Sequence, residues 1–170
     1  MVNLRQAFRH SPSSQEAATR HYLVYLTGEP EDQRLLEFVE RVSHRPNTEI
    51  TLAYVVEVDQ AMPLDAELPQ EIERGEDVLH AAELLAARCV ASRAMVTTEL
   101  LQARSAGAAV VDEAVETDAT AILMSCRLRK KHGKISTGET LDYVLRHAPC
   151  EVIVIREKMS RQPISGVTDQ

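Results

Sequence analysis

The sequence predicts an α/β fold built on an open, doubly wound sheet of five parallel strands. Three observations predict it. Apolar runs alternate with amphipathic helical stretches between residues 21 and 157. The strand runs are short and continuously apolar, as strands covered on both faces are. Gly, Pro and Asn punctuate the boundaries.

The elements follow in order. Residues 21–27 (HYLVYLT) form the first strand run, followed by Gly28 and Pro30. Pro30 falls near the first turn of a helix, where its missing N–H costs nothing. Leu35, Leu36, Val39 and Val42 then repeat at helical spacing, and Pro46 and Asn47 stop that helix. Residues 49–56 are rich in β-formers, and a loop with Met62, Pro63 and Pro69 comes next. Val78, Leu79, Ala82, Leu85, Ala86, Cys89 and Val90 make one stripe, which predicts a helix of about 20 residues. Residues 94–101 are the third strand. Val110, Val111, Ala114 and Val115 place a shorter helix over Ala106–Glu116. Residues 119–124 are the fourth strand. Leu141, Val144, Leu145 and Ala148 mark the last helix, which Pro149 ends, and residues 151–155 are the last strand. Residues 1–20 read as a polar tail in which Val2, Leu4, Ala7 and Phe8 allow a short helix. Residues 158–170, with Pro163 and Gly166, read as a disordered tail.

Composition narrows the function classes. The chain has 170 residues and a formal charge of −7, which argues against a nucleic-acid or acidic-membrane binder. Yet Arg127, Arg129, Lys130, Lys131 and Lys134 put +5 into eight residues that contain no acid, leaving −12 on the rest. No apolar run approaches the ~20 residues that span a bilayer. The three widely spaced cysteines, Cys89, Cys126 and Cys150, make no CxxC and suit a reducing cytoplasm. Cys126 reads as a small packing residue, although its cationic neighbours would favour a thiolate. The six histidines show no metal-ligand spacing, and no nucleophile elbow appears. In a doubly wound sheet, ligands sit beyond the carboxyl ends of the strands at the switch in strand order. The basic stretch begins at the end of the fourth strand, so a positive loop is expected where a phosphate would go.

The run LDYVLRHAPCEVIVI (residues 141–155) resembles the universal stress protein family. ATAILM (119–124), TLAYVVEV (51–58) and HYLVYLTGEP (21–30) are similar to its fourth, second and first strands. The resemblance covers about residues 21–156. It implies a Rossmann-like sheet of order 3-2-1-4-5 and a homodimer paired through the last strand, Glu151 to Ile155. Many members bind ATP through a glycine signature, whose glycines let backbone N–H groups approach phosphates. The corresponding places here are Ser125, Leu128, Gly138 and Glu139, so only one glycine remains. The family's Asp after the first strand is Thr27.

Two readings follow. Either the nucleotide site has decayed and the domain binds proteins, or the basic loop replaces the glycine cradle and clamps an anion with side chains. In the second case the ligand is ATP, AMP or a cyclic adenine nucleotide. The binding residues are then Thr27, the backbone at Val55, Arg127, Arg129, Lys130, Gly138, Glu139 and Thr140. Ser136 and Thr137 are either anion donors or helix caps. The resulting expectation is a non-enzymatic, dimeric, cytoplasmic regulator. The rival is a regulatory module that docks on a membrane transporter or other protein through residues 1–20. An ATP hydrolase is the weakest reading, because no evident base or Mg²⁺ ligand set is present.

Overall fold

A computed structural model describes residues 19–89, 94–127, 129–131 and 134–156, without the side chains of Cys89, residues 129–131, Lys134 or Ile135. Most of the N-terminal tail, the tail after Arg156, Val90 and Leu128 lie outside the described residues. The main sheet holds β1 (Arg20–Leu26), β2 (Thr48–Glu57), β3 (Met95–Ala103), β4 (Ala121–Cys126) and β7 (Glu151–Arg156). The strands lie in the order β3-β2-β1-β4-β7 and every pairing is parallel. With β7 as the fifth strand of the sheet, this is the expected order 3-2-1-4-5.

Alternation along the strands sorts the core into two layers. Tyr22, Val24 and Leu26 of β1, with Ile50, Leu52 and Leu123, meet Leu35 and Val39 of α1 (Asp32–Ser43) and Leu79 and Ala82 of α2 (Pro69–Cys89). Leu23, Ala53, Ile122 and Met124 face the other way. They pack on Val110 and Ala114 of α3 (Ala106–Glu116) and on Leu141 and Val144 of α4 (Glu139–His147). Leu23, Leu52, Ile122 and Leu123 are fully buried.

Two elements differ from the sequence reading. Pro69 is the first residue of α2 rather than part of the loop, because a proline at that position loses no helical hydrogen bond. The basic stretch is a two-stranded antiparallel ribbon, not only a loop. β5 (Arg129–Lys131) pairs with β6 (Lys134–Ser136), and the ribbon forms a sheet of its own. Alternating hydrophobicity, the usual strand signal, is missing from a run made mostly of Lys and Arg.

The long connection after β2 is held from β3. Gln102 Nε2 donates to the carbonyls of Leu64 and Ala66 at 2.8 and 2.9 Å. Arg104 donates to the carbonyls of Asp59 and Met62.

Candidate functional site

The switch in strand order lies between β1 and β4, where crossovers leave in opposite directions. The turn from β1 into α1 carries Thr27 and Gly28, and Gly28 has φ 76°. That left-handed conformation aims two successive N–H groups at one carboxylate. Asp32 Oδ2 accepts from the N–H groups of Thr27 and Gly28 at 2.8 and 2.7 Å. Its Oδ1 accepts from the hydroxyls of Thr27 and Ser125, each at 3.2 Å. Asp32 therefore ties the end of β1, the start of α1 and the end of β4 together. Burial pushes its carboxyl above the usual carboxylate range, against the pull of those four hydrogen bonds.

Glu31, beside it, is only 9% exposed. Its Oε1 lies 3.3 Å from Arg127 Nε, and the Arg127 side chain is 65% exposed. The other oxygen, Oε2, is buried with no hydrogen-bond partner among the described residues. Glu57 ends β2, and its Oε1 accepts the N–H of Ala106 at 2.7 Å, which caps the start of α3.

These groups surround a cleft of about 420 Å³. Thr27, Glu29, Glu31, Glu57, Ser125, Arg127, Thr137, Gly138, Glu139 and Thr140 are among its lining residues. An adjoining cleft of about 260 Å³ shares Tyr25, Thr27 and Glu57 and adds Tyr54, Val55 and Arg74. Burial holds the Tyr25 phenol well above its ordinary range, and Glu57 adds to the effect. Gly138 sits at φ 97° with open space where a Cβ would stand. The first turn of α4 thus lines the cleft, with no side chain over the backbone at Gly138.

Of the residues singled out from sequence, Thr27, Arg127, Gly138, Glu139 and Thr140 line one cleft, and Val55 lines its neighbour. The backbones of Arg129 and Lys130 belong to β5, and their side chains lie outside the described residues. Some hydroxyls are already engaged. Thr27 Oγ1 serves Asp32, Ser136 Oγ accepts from Gly138 N–H at 3.2 Å, and Thr137 Oγ1 donates to Asp142 at 2.6 Å. Ser136 and Thr137 are thus engaged within the turn before α4, and neither caps the helix, whose N-cap residue is Gly138. Cys126 is buried, and desolvation raises its thiol pKa, with Arg156 pulling the other way.

Sequence reasoning missed Glu31, Asp32 and Glu57. Acids at a helix start normally serve its dipole from the surface. The available signal was the order Thr27, Gly28, then Glu31 and Asp32, which sets a carboxylate within reach of a turn's N–H groups.

The sequence matches the model of the universal stress protein family over residues 18–156. The chain belongs to that family. Solved universal stress proteins share its fold. One from Archaeoglobus fulgidus superposes with a TM-score of 0.66 at 19% identity, covering 81% of this chain and 98% of that one. A universal stress protein solved in complex with cAMP gives a TM-score of 0.59 at 14% identity, covering 82% of this chain and 98% of the other. A universal stress protein family protein from Arabidopsis thaliana with AMP bound gives 0.57 at 11% identity, covering 86% and 97%. No curated protein sequence matches the chain significantly.

In this universal stress protein the Ser125 hydroxyl, at the end of β4, is bonded to Asp32.

Proposed function

We propose that this universal stress protein is a non-catalytic cytoplasmic regulator, dimeric through β7, with residues 21–157 as its universal stress protein-like domain. Its site takes an adenine nucleotide of low charge, AMP or a cyclic adenine nucleotide, in preference to ATP. The observation that carries this reading is the charge of the cleft. Arg127 stands against Glu29, Glu31, Glu57 and Glu139 among its described lining residues. Two like charges about 4 Å apart repel by about 4 kcal/mol at an effective dielectric near 20, so every added phosphate charge weakens binding. A single phosphate finds Arg127 and the start of α4. The adjoining cleft sets Tyr25, Tyr54 and Val55 beside Glu57, Glu71 and Arg74, so a purine there meets two aromatic rings and polar groups at its edge. The bound AMP and cAMP of the two relatives support this ligand class. Asp32 supports a non-catalytic role, because its two oxygens already accept four hydrogen bonds.

Calorimetry without divalent metal tests the ligand. AMP or cAMP is expected to bind at least about tenfold more tightly than ATP. Arg127→Ala and added salt should both weaken binding. No heat with any of the three in folded protein, or tightest binding by ATP, overturns the reading.

β7 supports the dimer. It pairs with β4 on one side and has no strand on the other among the described residues. Val154 on it is 39% exposed. An apolar edge strand with open backbone groups favours pairing with a second copy. Light scattering should give a dimer at micromolar concentration and a monomer for Val154→Asp. A monomeric wild-type protein would rule the dimer out.

A further inference from the structure

We infer that Glu31 and Arg127 form a paired subsite that reads a phosphate ester with a free hydroxyl beside it, which makes the 2′-hydroxyl of a 3′,5′-cyclic adenine nucleotide a specificity element. This rests on the nucleotide reading above and deepens it.

The argument starts from Glu31 Oε2. It is a buried carboxylate oxygen without a hydrogen-bond partner among the described residues, on a side chain that lines the cleft. A carboxylate accepts up to about four donors, and a buried oxygen left empty is costly. The donors of the adjacent turn and strand end are committed elsewhere, because the N–H groups of Thr27 and Gly28 and the hydroxyl of Ser125 all serve Asp32. A donor from a ligand fills the gap.

Arg127 supplies the complementary half. Its described contact with Glu31 is through Nε, which leaves the terminal Nη groups for phosphate oxygens. Its side chain is two-thirds exposed, so a phosphate can reach those Nη groups while Nε keeps its contact with the buried Glu31 carboxylate.

A ligand that satisfies both groups at once carries a phosphate ester and a hydroxyl on neighbouring carbons. In a 3′,5′-cyclic nucleotide, the 2′-hydroxyl is on the carbon next to the one bearing the phosphate ester. In AMP the 5′-phosphate and the 2′-hydroxyl are separated by the sugar ring, so one Arg–Glu pair cannot hold both. A site built to accept a hydroxyl rejects the analogue that lacks it, because the buried acceptor is then left empty.

The test is calorimetry on the full chain with cAMP, 2′-deoxy-cAMP and AMP. The deoxy analogue should bind about ten- to a hundredfold more weakly than cAMP. Glu31→Gln should weaken cAMP and shrink that ratio to a few-fold, since a neutral acceptor replaces a charged one. Equal affinity for cAMP and 2′-deoxy-cAMP overturns the inference, and so does binding of AMP without cAMP, while both leave the nucleotide reading standing. Binding of no nucleotide overturns both. If Glu31→Gln does not fold, as judged by circular dichroism, the two cyclic ligands on the wild-type protein decide the matter.

Discussion

Asp32→Asn is expected to destabilise the folded protein by about 3 kcal/mol. Four donors converge on the two oxygens of Asp32. An asparagine offers one oxygen and sets an NH₂ group against donors that need an acceptor. Hydrogen bonds to a charged group contribute about 1.5–3 kcal/mol each, so losing two, with partial relaxation, gives that figure. For a domain of this size the midpoint should fall by roughly 6–12 °C. Urea denaturation measures it directly, and a loss below about 1 kcal/mol would show that the clip is ornamental.

The same pair of proteins reports pH linkage. Burial raises the Asp32 carboxyl pKa in the fold, so the folded state holds this proton more tightly than the unfolded chain. The corresponding stability is fully present below the unfolded value of about 3.9 and is lost as pH rises through the folded one. The advantage of wild type over Asp32→Asn should therefore grow as pH falls from 7 towards 4. An advantage that shrinks on acidification would mean that the hydrogen bonds outweigh burial.

Gly28→Val is expected to cost about 3 kcal/mol for two separable reasons. Gly28 has φ 76°, where an L side chain pays about 1–2 kcal/mol and a β-branched one more. An added Cβ would also stand 2.8 Å from Val78 Cγ2 on α2. Valine has few rotamers with which to yield in a helix, and overpacking costs about 1–3 kcal/mol. Val78→Ala removes the obstructing methyl, so the double variant should lose less than the two single losses added, by about 1 kcal/mol. Strict additivity would assign the whole cost to the backbone. Gly28→Val should also weaken nucleotide binding, because the turn it distorts carries the N–H groups that position Asp32 beside Glu31.

Much of this architecture was legible in the residues. α3 begins and ends at Ala106 and Glu116 as its pattern of Val and Ala predicts, because its buried stripe is uninterrupted and Ser105 and Thr117 flank it. The strands were found within two residues at each end, since continuous apolar runs leave little choice of partner layer. The site was harder to read. Glu31 and Asp32 look like ordinary first-turn acids, and only the fold shows that Asp32 is bonded to Ser125, 93 positions away. Lys130 and its neighbours announce a charge reversal, yet nothing in a run of cations announces a ribbon. The charge that seemed to mark an anion cradle stands next to a cleft whose described charged lining is four carboxylates and one arginine.

The ribbon of β5 and β6 hydrogen-bonds to itself as a separate two-stranded sheet, and it departs and returns between Arg127 and Thr137. Among the described residues it is a cassette whose ladder is separate from the main sheet, so a change in its length or charge breaks no ladder bond of that sheet. Position 75 has no such latitude, because a Cβ on Gly75 would meet Tyr54 and Leu100 within 2.8 Å. Divergence among duplicated copies of such a protein would thus accumulate in the cassette, while a glycine without any chemistry of its own keeps the Tyr54 wall of the pocket in place.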